Sequence, residues 1–326
     1  MRNLVIDERW RGEHGIGRFA TEVLARLDLP WTSLNGASSP TAILDFLNIS
    51  RIGLGPQHVV FTPGFNAGFT RAKQLIVIHD LIHLQVSGSG SKLKTLYYNL
   101  VVKRAVLRAN AVMTVSEASA TTIRAWIGDE NVDVSVVGNG SSAEFVATGT
   151  RREFIRPTLL YVGNMKAHKN VDVILGALSR RPEFHLVIVT SDVVEARDKA
   201  QAAAVTSQVT LLTGLQDVDL ASLYRGVHGL LQPSILEGFG LPTVEAMSCG
   251  TAVAFWTGCE SVKEICAGTG VGVESSTNEE DWANAFDRLL LLHRAGPLTM
   301  PSSWLDKYDW DRVALRIQEV ISRHLV

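Results

Sequence analysis

Short apolar runs rich in Val and Ile alternate along the chain with longer stretches of helical periodicity, the pattern of a parallel sheet covered by helices on both faces. There are enough runs for two sheets. The first half supplies Leu4–Ile6, His58–Thr62, Leu75–His79, Ala111–Val115 and Val134–Val137, and the second Leu159–Val162, His185–Thr190, Val209–Leu212, Gly229–Gln232 and Ala252–Phe255. Between them the polar, turn-rich stretch from Gly138 to Arg152 has no sustained periodicity and reads as a linker. The expected domains are therefore residues 1–148 and 149–308. A first helix carries Phe19, Val23 and Leu27 at four-residue spacing and follows the glycine-rich loop Gly12 to Arg18. Thr277-Asn-Glu-Glu280 resembles a capping box opening a helix through Leu292. A last helix is predicted over Asp309–Leu325, with Val313, Ile317, Val320 and Ile321 on one apolar stripe.

Composition narrows the class. The 326 residues are 46% hydrophobic and 20% charged, which suits a packed globular protein of two domains. Lys plus Arg number 31 against 33 Asp plus Glu, and the net charge of −2 gives no general attraction to nucleic acid or to an anionic membrane. Nucleic acid is accordingly not an expected partner, and any polyanion site must be local. The three cysteines, Cys249, Cys259 and Cys266, lack paired spacing, which favours free thiols in a reducing compartment. The start of the chain has no signal-peptide apolar region, and no window approaches a membrane span. A cytoplasmic enzyme is expected, with peripheral contact at the inner face of a membrane left open.

The chemistry concentrates in Ser234-Ile-Leu-Glu237-Gly-Phe-Gly-Leu-Pro-Thr-Val-Glu245-Ala-Met. Gln232-Pro-Ser ends an apolar strand, Pro242 suits a first helical turn, and Gly250 suits the left-handed position after a helix. Gly238 and Gly240 let backbone approach a ligand, and N–H groups near Leu241 to Val244 offer an anion site strengthened by the helix dipole. A diphosphate there would leave Glu245, expected in the first turn, to accept from ribose hydroxyls, and Glu237 to face a transferred sugar. Without that setting, Glu245 would be an ordinary helix-start acid and Glu237 a solvated turn residue.

With these residues the chain resembles glycosyltransferase family four, retaining enzymes of the GT-B fold. The family's two glutamates, separated by seven residues, match Glu237 and Glu245 around the Gly-Phe-Gly-Leu-Pro core. Four weaker features follow in family order: Gly15-Ile-Gly17-Arg18; His79-Asp80 at a strand end; Thr114-Val-Ser116-Glu117; and Tyr161-Val-Gly163-Asn-Met-Lys166-Ala-His-Lys169. The resemblance implies two Rossmann-like domains facing across a cleft, with the C-terminal helix, residues 309–326, crossing back to the first. It implies a nucleotide-sugar donor and no cofactor or metal. His79 and Glu237 are the implied catalytic pair. Gly15, Gly17, Arg18, Gly163, Lys166, Lys169, Gly240, Leu241 and Thr243 would hold the diphosphate. Glu245 would hold the ribose, and Gly238 and Phe239 the sugar. Ser116 is either a cleft contact or a simple N-cap.

Two positions depart from the family. Many relatives carry an arginine where this chain has Asn164, and a proline after the Cys-Gly pair where it has Thr251. Asp217-Val-Asp219 has a metal-binding form but reads as a helix cap, and the basic stretch Lys92 to Arg108 as a helix packed on the first sheet rather than a membrane anchor. The N-terminal sequence resembles mannosyl and rhamnosyl transferases of surface polysaccharides such as lipopolysaccharide. That likeness makes GDP-mannose the leading donor and a glycan or lipid-linked sugar the acceptor. A nucleotide-sugar epimerase of the same fold, or a silent donor-binding partner subunit, are the competing readings.

Overall fold

A computed structural model describes residues 2–12, 15–34, 39–42, 44–85 and 92–326, so Glu13 and His14 of the glycine-rich loop lie outside the described residues. The chain divides into two compact units, one of residues 1–140 with 307–326 and one of 141–306.

In the first unit, Asn3–Ile6 lies between Thr32–Ser33 and His58–Thr62, with Lys73–Ile76 beyond, all parallel. A parallel bridge from Val77 to Met113 leads to the pair Ala111–Thr114 and Asp133–Val136. Val59, Phe61, Leu75 and Ile76 are completely buried, which is why these strands read as unbroken apolar runs. The expected strand Leu75–His79 stops at Ile76 because the backbone changes partners there. The Val77 amide donates to Thr62 O at 3.1 Å, and the Ile78 amide donates to Met113 O at 2.9 Å. Thr32–Ser33 is two exposed polar residues and carries no apolar signal.

The last helix, Trp310–Leu325, belongs to this unit. Asp309 caps it by accepting from the Arg312 amide at 3.1 Å, and Val313, Ile317, Val320 and Ile321 are all buried. Phe19 meets Trp310 edge-on at 6.0 Å, and the Arg2 amide donates to Leu325 O at 2.8 Å. The stretch Lys92 to Ala109 is helical with a π-helical segment, Tyr98–Val102. Tyr98, Val102, Ala105 and Val106 pack with Ile76 and Ile78 in the core.

A buried polar cluster joins the ends of this unit's first elements. Arg9 reaches Asp7 at 2.8 and 2.7 Å and Asp45 at 2.6 and 3.0 Å. Asn66 Nδ2 donates to Asp7 at 2.6 Å and to Asp45 at 3.2 Å, and its Oδ1 accepts from Thr62 and Trp10.

The second unit holds one parallel sheet in the spatial order Val271–Val273, Val253–Trp256, Leu230–Gln232, Thr158–Val162, His185–Val189, Val209–Leu212. Sequence order runs outward in both directions from its middle, the doubly wound Rossmann arrangement. Val271–Val273 is short, with a glycine at its centre, and has no counterpart among the expected strands. Residues 141–150, read from sequence as linker, are tied into this unit by Arg225. Its guanidinium donates to the carbonyls of Thr150 at 2.8 Å, Val146 at 3.0 Å and Glu144 at 3.3 Å. Two helix starts also differ from expectation. Asn278 rather than Thr277 caps Glu279–Ala295, accepting from Glu280 N at 3.0 Å. Gln216, not Asp217, is the cap residue of Asp217–Gly226, so both aspartates lie inside its first turn, where the helix dipole favours them.

Burial lowers the pKa of His79, His83, His185, His228, His293 and His324, that of His83 to about 4. These rings stay neutral in the fold but are protonated in the unfolded chain below about pH 6.5. The unfolded state then binds more protons, so stability is present above that pH and lost as pH falls toward the folded values. A urea midpoint that drops steadily from about pH 7 to about pH 5 is the expected result; a flat midpoint would contradict it.

Candidate active site

In the second unit the strand order reverses between Thr158–Val162 and Leu230–Gln232. Where order reverses, the loops leaving the carboxyl ends of neighbouring strands diverge to opposite faces and open a crevice. These two loops carry Lys169 and Glu237.

The first loop is fixed by its own polar groups. The Tyr161 hydroxyl donates to Asn164 O at 2.7 Å, and Asn164 Oδ1 accepts from the Lys166 amide at 3.2 Å. Gly163 sits at φ 155°, and a Cβ there would come within 2.8 Å of the Tyr161 hydroxyl. A 3-10 turn, Ala167–Lys169, ends on Asn170 in the left-handed region, whose side-chain Nδ2 donates to Pro233 O at 3.3 Å and Ser276 O at 2.7 Å. The Ile235 amide donates to His168 O at 2.7 Å, so the two loops are laced by backbone.

That lacing brings Lys169 Nζ to 2.6 Å from Glu237 Oε1. Gln232 Nε2 and Ser234 Oγ each donate to the same oxygen at 2.7 Å. Ser261 Oγ holds the Glu237 backbone carbonyl at 2.9 Å. The side chains of Lys169 and Glu237 are 17% and 10% exposed, so the pair is shielded yet reachable. Burial, with the Glu237 carboxylate nearby, raises the Tyr161 phenol above its ordinary value, and the same two causes push the Cys259 thiol up to about 11. Lys166 is exposed on the same loop. The lysine expected to meet a diphosphate is therefore engaged with the glutamate expected to meet the sugar.

Beyond Glu237 and Gly238 the loop passes the buried Phe239 and turns on Gly240 at φ 116° into the helix Leu241–Ser248. Only glycine takes that conformation without strain. Pro242 has no N–H, and the Thr243 and Val244 amides already donate to Gly240 O at 3.0 and 3.4 Å. The amides expected to face an anion thus reduce to those of Gly240 and Leu241, fewer than the sequence suggested. The Thr243 hydroxyl is buried with no hydrogen-bond partner among the described residues. Glu245 is the fifth residue of the helix rather than part of its first turn. It is buried, and the Tyr224 hydroxyl donates to its Oε2 at 2.9 Å.

The first unit places its candidates on one sheet edge. His79 Nε2 lies 2.9 Å from Pro63 O, and a carbonyl can only accept, so the proton sits on Nε2 and Nδ1 carries the lone pair. Phe19 packs edge-on to this ring at 4.8 Å, and Ser119 Oγ holds the His79 carbonyl at 3.0 Å. With its pKa lowered by burial, His79 is neutral near pH 7. Gly15, at φ 56°, precedes the helix Ile16–Leu24, which carries Arg18. Gly17 lies so close to Gly12 that a Cβ would fall 2.9 Å from the Gly12 Cα. Ser116 is the N-cap of Glu117–Ile127, accepting from the Ser119 amide at 3.0 Å.

Two Rossmann-like parallel units, the second with an acid–lysine pair and a glycine turn at its switch point, are the architecture of the GT-B fold. Residues 152–295 match the family described as glycosyl transferases group 1. It is 24% identical over 245 residues to the O-antigen chain mannosyltransferase RfbU of Salmonella typhimurium, covering 74% of this chain and 67% of that one. It is 30% identical over 191 residues to a D-inositol 3-phosphate glycosyltransferase of Mycobacteroides abscessus, covering 56% of this chain and 42% of the relative. The fold matches a sucrose-phosphate synthase of Thermosynechococcus elongatus with a TM-score of 0.74 at 17% identity, covering 99% of each chain. No helix among the described residues is long and apolar enough to cross a membrane.

Sequence reasoning gave no role to Gln232, Ser234, Ser261 or Tyr224. The first two stand at the strand end next to Glu237, where two polar residues closing an apolar run were the available signal. Ser261 and Tyr224 are, respectively, 24 residues after Glu237 and 21 before Glu245, with no spacing that marks them.

Proposed function

We propose that the chain transfers a hexose from a nucleotide-diphosphate sugar to a glycan or lipid-linked acceptor in surface polysaccharide assembly, with retention and without a metal. The observation that carries this is the Lys169–Glu237 pair at the switch point, beside the Gly240 turn. Breaking the anomeric C–O bond leaves positive charge on the sugar and negative charge on the departing diphosphate. In this reading the carboxylate of Glu237 orients the sugar. Lys169, Lys166 and the Gly240–Leu241 amides meet the diphosphate, so that Lys169 divides its charge between glutamate and leaving group. Thr243 offers its unpartnered hydroxyl to the same phosphates, and Glu245, oriented by Tyr224, takes the ribose. Gly15, Gly17 and Arg18 of the first unit are phosphate-binding candidates on the family resemblance alone. Neutral His79 accepts from a sugar hydroxyl through Nδ1.

The likeness to an O-antigen chain mannosyltransferase supports GDP-mannose as the donor and a polysaccharide product. The test is a melting-temperature screen against GDP, UDP, ADP and their sugars, since a ligand that binds only the fold raises its melting point. It is followed by product analysis with GDP-mannose and a lipid-diphosphate sugar. GDP release that depends on acceptor, with a new glycosidic product, is the expected outcome. A shift by UDP alone would overturn the donor, and an epimerised sugar formed without acceptor would overturn the transfer.

A further inference from the structure

A second pocket in the 141–306 unit lies at the opposite edge of its sheet from Glu237. His228 and Ala252 each stand just before a strand there, at amino ends, whereas Glu237 and Lys169 follow carboxyl ends. The pocket has a volume of about 350 Å³, and none of the residues lining it is acidic. Arg151, Arg225, His228 and His293 face it together. Arg225 is buried, and its hydrogen bonds go to three backbone carbonyls rather than to a carboxylate. Dipoles of that kind leave its full positive charge uncancelled in a shielded place, where a bound anion gains most.

The two imidazoles lie 4.4 Å apart between ring centroids, with their planes tilted by 39°. Thr158 presents both an amide, 3.0 Å from His228 Nδ1, and a carbonyl, 3.2 Å from the same atom. A neutral ring accepts from the amide and a charged ring donates to the carbonyl, so His228 keeps a backbone partner in either protonation state. Beyond burial, Arg294 and Arg151 lower the pKa of His228, and His228 and Arg151 that of His293, while burial pushes the thiol of Cys249, which lines the same wall, up to about 12. No acidic residue lines these walls, and the Glu245 carboxylate lies behind them, near enough to add to the rise at Cys249.

We propose that this pocket binds a phosphate-class oxyanion, free or as a small phosphomonoester, at a site separate from the Glu237 loop. Arg151 supplies paired donors to two oxygens, Arg225 adds its charge, and the imidazoles supply further N–H groups once an anion draws protons onto them.

The test follows the imidazole NMR signals of the full chain, assigned with the variants His228→Gln and His293→Gln, during titration with inorganic phosphate, sulfate and glycerol phosphate. Saturable shifts of both signals are expected, with affinity for sulfate, whose charge is constant in this range, rising as pH falls from about 8 to about 6. Arg151→Ala should weaken binding by roughly tenfold. Tighter binding of glycerol phosphate than of phosphate marks the esterified form as the ligand, and equal binding marks the free ion. Signals that do not move with any of the three anions, or that move equally in Arg151→Ala, would overturn the site. Sugar transfer is not needed for this readout, so its failure and that of the proposed function are separate.

Discussion

Glu237→Ala is expected to lower sugar transfer by at least about a hundredfold, the usual loss when one preorganised charge or dipole leaves a reacting centre. Its Oε1 is the meeting point of Lys169 at 2.6 Å, Gln232 at 2.7 Å and Ser234 at 2.7 Å. Deleting the carboxylate removes the group proposed to face the sugar and releases Lys169 from its fixed place. It should leave the nucleotide-induced rise in melting temperature largely intact, because the Tyr224–Glu245 hydrogen bond and the Gly240 turn are separate from it. Glu237→Gln keeps the volume but turns part of an acceptor into a donor against three donors, so it should also be severely impaired. Turnover is measured as nucleotide released per enzyme with a confirmed fold by circular dichroism. Wild-type turnover in the alanine variant would remove Glu237 from the site.

The largest stability effect is expected at Arg9. Its guanidinium is 12% exposed and lies between Asp7, completely buried, and Asp45, 3% exposed. Arg9→Ala leaves two buried carboxylates beside Asn66 without their cation, and removing one partner of a buried ion cluster typically costs about 3–5 kcal/mol. Arg9→Lys keeps the charge but has no planar fork to span both acids, so only partial recovery is expected. Urea unfolding gives the comparison directly. A loss below about 1 kcal/mol for Arg9→Ala would show that the cluster is solvated in a way its burial does not suggest.

These two sites differ in how far they could be read from sequence. Glu237 was legible because its setting is local: a strand end, two glycines and Pro242 within ten residues define a turn into a helix. The pattern of Val and Ile likewise marked ten strands, since strands buried on both faces must be apolar throughout. Thr32–Ser33 and Val271–Val273 escaped because two or three residues at a sheet margin bury too little to leave a pattern. Asp45 is 36 residues from Arg9, and nothing in its surroundings announces a buried carboxylate.

By itself the sequence determined the parallel α/β architecture, the capped last helix and the Glu237 loop, all products of short-range periodicity and backbone preference. The partners were decided only by tertiary structure. Lys169 meets Glu237 because the sheet reverses its order between their strands, 68 residues apart, and because backbone hydrogen bonds lace the two loops together. Tyr224 meets Glu245, and Arg225 gathers residues 144–150, for the same reason. A side chain's charge and shape are written in the sequence, but the low-dielectric surroundings that give them their strength exist only once distant segments pack.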